Sequence, residues 1–333
     1  MLRSYFCIAT VCAAAVLAGC NAIPPSAPLQ PVGDVRASAY RTPYAVPFHR
    51  AIQTPALVGV SPGGVLKYFP IGRHGGNDPQ VIARIPNLRA GAMAGNGNEV
   101  AIVNQHPPGI VLYDVATHAL KRFADPNGTP IDIAIDKNAN LFVLNVVRDD
   151  PGNVTMYRAN SSQPVELNCR YIGLGVAIAA DDEGDIFVNG YQHSFTGVSE
   201  IPNGPNGPQP SKCRRLDLRP EHGYVAGVAI DPKTDDLIVL DDPDLCAGGV
   251  EGRMTIYPKP YRGGTARSVD LNGNCVGQLR LDAASRLVFS FDQNISGGSS
   301  YVIQRGYPGG RDLGAYHRGN LIGVTTIPNT LPN

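Results

Sequence analysis

Short apolar runs separated by polar turns fill most of the chain, and they recur at a near-constant spacing. Gly91-Ala-Met-Ala-Gly95, Asp132-Ile-Ala-Ile-Asp136, Ala177-Ile-Ala-Ala-Asp181, Gly227-Val-Ala-Ile-Asp231 and Gln278-Leu-Arg-Leu-Asp282 align, and the Asp-ended copies lie 45, 50 and 51 residues apart. Runs this short, bounded by Asp, Asn and Gly, predict strands rather than helices. A few polar residues follow each copy, such as Lys137 to Asn140 or Asp182 to Asp185, and then a second apolar run begins. These second runs are Val100 to Val103, Leu141 to Leu144, Ile186 to Val188, Leu237 to Leu240 and Leu287 to Phe291. Third runs start at Gly109, Asn153, Gly197, Met254 and Tyr301, and a more polar fourth segment ends each unit.

A period of 40 to 50 residues with four strands per unit is the signature of a β-propeller. Five copies are complete. Leu57 to Val60, Val65 to Phe69 and Val81 to Ile85 form a unit without an inner strand, and Leu321 to Ile327 is a strand without a unit. Joining the two closes a ring, so the sequence predicts an all-β, six-bladed propeller over 55–333 whose first blade is completed by the C-terminal strand. Composition agrees: 38 Gly and 29 Pro make about one residue in five a helix breaker, which excludes a helical bundle. The 28 basic and 28 acidic residues cancel and no segment concentrates Lys or Arg, so no footprint for nucleic acid or an anionic membrane surface exists. Absence of Trp argues against WD repeats.

Gly227-Val-Ala-Ile-Asp231 followed by Leu237-Ile-Val-Leu-Asp241 resembles the repeat of the NHL and regucalcin/gluconolactonase-like six-bladed propellers, and the resemblance extends over about 56–328. It implies the architecture. It also raises metal-dependent lactone hydrolysis, because lactonases of that group hold a divalent metal through a Glu and Asn or Asp residues. No Glu stands at the start of the first blade here, which departs from that pattern.

The first residues carry a different signal. Arg3 precedes an apolar run from Ile8 to Ala18, and Leu17-Ala18-Gly19-Cys20 resembles the bacterial lipobox. The resemblance implies a signal peptide over 1–19, cleavage before Cys20, acylation of that Cys by diacylglyceryl and palmitate-type chains, and a cell-envelope location. Asn21 rather than Asp after the Cys implies the outer membrane. An ordinary secretory signal cleaved nearby is the alternative. Residues 20–54 hold Pro24, Pro25, Pro28, Pro31, Pro43 and Pro47 without periodicity and read as a stiff tether.

With Cys7 and Cys12 removed and Cys20 lipidated, Cys169, Cys213, Cys246 and Cys275 remain. An even number of thiols in an oxidising compartment, with no Cys-x-x-Cys pair, reads as two disulfides. Three connectivities exist; Cys169 with Cys213 and Cys246 with Cys275 is preferred because each pair joins consecutive repeats.

Candidate chemistry is sparse. Gly59-Val-Ser61-Pro-Gly63 matches a nucleophile elbow in form, but Pro62 offers no N–H for an oxyanion and a strand follows instead of a helix. Asn104, Asn145, Asn189, Asp241 and Asp292 end the five second strands and would ring one mouth of the channel as ligand-binding residues, or else cap turns. Asp241-Asp242-Pro243-Asp244 is the densest acidic cluster and would suit Ca²⁺ or another divalent metal. Asp132 and Arg280 are charged residues in inner-strand positions, where they would face the channel and pair or meet a ligand. His74, His106, His193 and His222 form no metal motif. Catalytic motifs are missing, so the expected role is a monomeric, membrane-anchored binding module for a protein, peptide or glycan, with metal-dependent hydrolysis as the alternative.

Overall fold

The Asp that ends four of the five repeat copies precedes a short turn, and that turn folds the first two strands of a unit into a hairpin. In the computed structural model, the described residues are 56–70, 79–147, 152–192, 195–220, 225–241, 252–261, 266–271, 276–282, 287–293, 300–309, 311–316 and 321–327. They all belong to the second of two units, Met1–Ser38 and Ala39–Asn333. The leader, Cys20, the tether, Cys246 and Cys275 lie outside them.

Strands β1 (Ala56–Val60), β2 (Val65–Pro70) and β3 (Gln80–Arg84) come first. Five sheets of four consecutive antiparallel strands follow. The first holds β4 (Ala90–Asn96), β5 (Glu99–Gln105), β6 (Pro108–Asp114) and β7 (Leu120–Ala124). The second holds β8 (Thr129–Ile135), β9 (Leu141–Val146), β10 (Asn153–Tyr157) and β11 (Pro164–Leu167), and the third β12 (Leu174–Ala180), β13 (Ile186–Gln192), β14 (Phe195–Ile201) and β15 (Arg214–Arg215). The fourth holds β16 (Val225–Ile230), β17 (Leu237–Asp241), β18 (Gly252–Tyr257) and β19 (Arg267–Leu271), and the fifth β20 (Val276–Leu281), β21 (Leu287–Gln293), β22 (Ser300–Gly306) and β23 (Arg311–Tyr316). Finally β24 (Gly323–Ile327) returns to pair with β1, giving the order β24-β1-β2-β3 in a further four-stranded sheet. Ala56 stands opposite Ile327 and Val60 opposite Gly323. The chain is thus an all-β propeller of four-stranded antiparallel blades, and its C-terminal strand closes the blade that β1 to β3 begin.

Inner strands touch their neighbours in the cyclic order β24, β4, β8, β12, β16, β20 and back to β24. Their crowding explains the small residues at the start of each repeat. A Cβ on Gly227 would come within 2.7 Å of the Leu279 backbone nitrogen, and one on Gly95 within 2.6 Å of the Thr326 carbonyl. In the five contiguous blades the pairing of first and second strands slips once near its start, for example between Pro130 and Asp132 and between Val276 and Gln278. Such bulges add local twist and re-aim the residue that follows.

The repeat's terminal Asp closes the following turn. Asp136 accepts from the N–H groups of Asn138 and Asn140, Asp181 from those of Glu183 and Asp185, and Asp231 from that of Lys233. Ala139, Gly184 and Asp235 take the left-handed conformation in these turns, with φ of 61°, 85° and 57°. Between blades lie apolar layers. One of them packs Phe142, Leu144 and Val154 against Ile178, Ile186 and Val188. The same seam carries the Cys169–Cys213 disulfide, which joins the second and third contiguous blades as the repeat adjacency predicts.

Candidate binding surfaces

Two faces result from this topology: a turn face, carrying the first-to-second-strand turns and the third-to-fourth-strand loops, and a crossover face, carrying the second-to-third-strand loops and the links to the next blade. Four of the five predicted ring residues, Asn104, Asn145, Asp241 and Asp292, pair with the first strand just before its bulge, near the crossover face, whereas Asn189 pairs just after it and Gly190 holds the equivalent position. Asn104 stands opposite Ala90 and Gly109, Asn145 opposite Pro130 and Asn153, Asn189 opposite Ala177 and Val198, Asp241 opposite Val225 and Arg253, and Asp292 opposite Val276 and Tyr301. The four whose side chains are described are all buried. No hydrogen bond joins any two of these four.

Each of the four has its own local partners. Asn104 accepts from the Arg89 N–H at 2.8 Å and donates to the Pro107 carbonyl at 2.8 Å, which braces the loop between β5 and β6. Asn145 donates toward Asp125, Asn153 and Thr155, so it ties the end of one blade to the next. Burial pushes the Asp125 carboxyl up, against hydrogen bonds from Asn127, Asn145 and Thr155 that pull it down. Asn189 reaches the Ala226 carbonyl of the following blade at 3.3 Å. Asp241, with a side chain fully buried, takes the Arg253 guanidinium at 2.7 Å. Residues 242–244 of its acidic cluster, like His74, His193 and His222, lie outside the described residues.

At the centre, a cavity of about 100 Å³ is lined by every blade, through Ala94, Ile133, Ile178, Val228, Arg280 and Thr325 among others. Asp132 and Arg280 meet there at 2.7 Å. Arg280 also donates to the carbonyls of Met93, Leu279 and Ile133. Asp132 accepts further bonds from the N–H groups of Ile133 and Ile178 and from Gln278, whose own amide oxygen receives the Val324 N–H. Asp132 and Gln278 occupy the repeat position that is Gly or Ala in the other copies. Three polar exceptions to the repeat, Asp132, Gln278 and Arg280, therefore build one knot on the axis that links β4, β8, β12, β20 and β24.

Carboxylates gather once on the turn face. Asp181, Glu183 and Asp185 offer oxygens within 4.8 Å of one another, the single such group found among the described residues. The donor set does not fit a metal. Lys259 already stands in the middle, with its Nζ 3.6 Å from Asp181, 3.1 Å from Glu183 and 3.3 Å from Asp235. Asp181 Oδ1 is spent on two backbone N–H groups, and Asp185 accepts from Asn203 N at 2.6 Å. Burial, then the charge of Asp185, pushes the Asp181 carboxyl up to about 6. Burial opposes the Lys259 charge, but the bond to Glu183 and the charges of Asp181 and Asp235 outweigh it and hold the ammonium above the ordinary lysine range.

A concavity of about 500 Å³ opens beside this cluster at the seam between the second and third contiguous blades. Its walls are the turn that carries Asp136, Asn138 and Asn140, the strand end at Arg158, and the loop Pro202-Asn-Gly-Pro-Asn-Gly-Pro208. Phe142 and Met156 form an apolar floor. The sequence singles out none of these as functional. The doubled Pro-Asn-Gly in the loop is the one visible signal, and it marks a turn rather than a ligand. Ser61 of the elbow-like motif takes part in no cleft: its hydroxyl accepts the Val65 N–H at 3.1 Å and closes the hairpin between β1 and β2.

Comparison with known proteins bears on the fold. No family model matches the chain, and no curated protein matches it in sequence. Solved structures do match in shape. One is a chain from the crystal structure of a nidogen/laminin complex, with a TM-score of 0.65 and 15% identity over 83% of this chain and 99% of that one. Another is TolB from Acinetobacter baumannii, with a TM-score of 0.60 and 11% identity over 81% of this chain and 65% of that one. Both likenesses are of fold, and they place the chain among β-propellers.

Proposed function

We propose that the chain is a lipid-anchored, extracytoplasmic β-propeller that binds a protein partner through its loop faces. The observation that carries this reading is the contrast between its cavities. The axis leaves only about 100 Å³ free, and its charged pair Asp132–Arg280 is already spent on itself and on backbone groups, whereas the 500 Å³ concavity is an open seam on the surface. Open, polar, preformed surfaces suit macromolecular recognition. That a similarly folded chain was crystallised in a nidogen/laminin complex supports a protein as the partner. The lipobox-like Leu17-Ala18-Gly19-Cys20 and the Pro-rich segment to residue 54 support a body held off the outer membrane by acyl chains and a tether, and the Gly227-Val-Ala-Ile-Asp231 repeat supports an NHL-like kinship for that body.

Two measurements test it. Metabolic labelling with radioactive palmitate should mark the full chain and vanish in Cys20→Ser. Cross-linking in intact cells should yield a stoichiometric adduct whose linkages map to loops of the propeller. Turnover of lactones by the purified chain with Ca²⁺ or Zn²⁺, lost in Asp241→Ala, would replace this reading with the metal-dependent hydrolase.

A further inference from the structure

The geometry points to a carboxylate-binding site in the 500 Å³ seam cleft, with Arg158 as anion anchor and an acidic side chain of the protein partner as ligand. This deepens the protein-binding reading and rests on it. Arg158 is exposed at the end of β10, and its guanidinium makes no ion pair and donates no hydrogen bond among the described residues. It lies against Gly207, where a Cβ would find its Nη2 at 4.0 Å, so both walls of the cleft meet at the cation. Asn138 and Asn206 expose carboxamides that likewise have no side-chain partner among the described residues. A carboxamide offers one donor and one acceptor side by side, which matches a peptide group. A guanidinium matches a carboxylate in the same bidentate way. Phe142 and Met156 at the floor, with the Pro205 and Pro208 rings at the rim, supply apolar contact for the chain that carries the acid.

Neighbouring carboxylates do not cancel the anchor. Asp136 is saturated by the N–H groups of Asn138 and Asn140 and by the Asn140 amide, at 2.7 to 2.9 Å. Glu183 and Asp181 face Lys259. The walls are also preformed. Gly204 and Gly207 exchange backbone hydrogen bonds, Gln209 N donates to the Pro202 carbonyl, and Asn203 is held by Asp185 and by the Glu183 carbonyl. The Cys169–Cys213 bridge ties the segment that follows this loop to the blade that bears Arg158. A ligand entering such a cleft orders little of the protein, so a single charge-assisted contact is expressed in affinity.

The test uses the full chain in detergent micelles and a phage-displayed random heptapeptide library. Enriched peptides should carry Asp or Glu, and synthetic copies should bind roughly tenfold to a hundredfold more weakly to Arg158→Gln. The same loss should follow from replacing the peptide's acid by its amide, and from Asn206→Asp, which sets a like charge in the rim. Thermal midpoints equal to the parent chain separate these losses from unfolding. Acidic peptides that bind Arg158→Gln as well as the parent would overturn the cleft while leaving a protein-binding propeller. An absence of enriched peptides, with saturable binding of oligogalacturonate that Arg158→Gln abolishes, would reassign the cleft to an acidic saccharide and count against the protein partner too. No binding that depends on Arg158 overturns the assignment outright.

Discussion

Two ionic clusters tie blades together in this propeller, one on the axis and one on the turn face, and they do so by opposite means. On the axis, Arg280 is 13% exposed and spreads its planar donors over Asp132 and three carbonyls from three inner strands. Every lone pair it meets is already in place, so a delocalised cation suits the crowding. On the turn face, Lys259 is 30% exposed and serves three carboxylates as a point charge, none closer than 3.1 Å. The first cluster is a fixed linchpin. The second is held loosely enough that protonation and solvent can alter it.

Breaking the axis should therefore cost far more than breaking the rim. Arg280→Met leaves Asp132 charged and buried, and removal of one partner of a buried pair typically costs about 3–5 kcal/mol. Urea denaturation of the full chain in detergent should show this as a lower midpoint. Adding Asp132→Leu to that variant should recover much of the loss, because an apolar pair of similar volume replaces both charges. Failure of the double variant to recover would mean that the hydrogen bonds Asp132 accepts from Ile133, Ile178 and Gln278, rather than the charge pair, hold the axis.

The sharpest prediction for the rim concerns pH. Asp181 sits near 6 in the folded chain, against about 3.9 when unfolded. A raised carboxyl binds its proton more tightly when folded, so its contribution favours folding most below about pH 4 and is lost as pH rises through about 6. Stability of the parent chain should fall relative to Asp181→Asn across that window, by on the order of 1–3 kcal/mol. A slope unchanged in Asp181→Asn would place the titration elsewhere.

How much of this was legible beforehand depends on how far each feature is local. The repeated Asp at 136, 181 and 231 announced a turn, and the turn is what it makes. Asp132 and Arg280 stood out as charges in strands where the other copies are small or apolar, and their pairing followed from the one place such strands converge. Likewise, adjacency of repeats sufficed for Cys169 and Cys213. Asn104, Asn145 and Asp241 were legible as equivalent positions but not as to partners, because each side chain bonds to whatever its own loop or the neighbouring blade presents, and Asn189 fell one register position away from them. Lys259 and Arg158 were illegible altogether. Both follow a third strand by one residue or two, but one leans into an acidic turn of the preceding blade and the other into an empty-walled seam, a choice that only packing between blades decides.

Lys259 links that packing to the titration. Lys259→Met removes the positive neighbour that holds the Asp181 carboxyl down, so the pH at which Asp181 titrates should move up from about 6. At neutral pH the cost of the substitution should stay near or below about 1 kcal/mol, because a third of the ammonium is open to solvent. The two effects separate the cluster's roles: a tie between blades would appear as lost stability at every pH, a charge balance as a loss confined to pH values where Asp181 is ionised. Arg158→Gln, at the corresponding strand end two blades earlier and without a partner to lose, should change stability by no more than about 0.5 kcal/mol. A larger loss there would mean that the guanidinium supports the seam, and that the comparison to be drawn is among three structural cations rather than two structural cations and one reserved for a ligand.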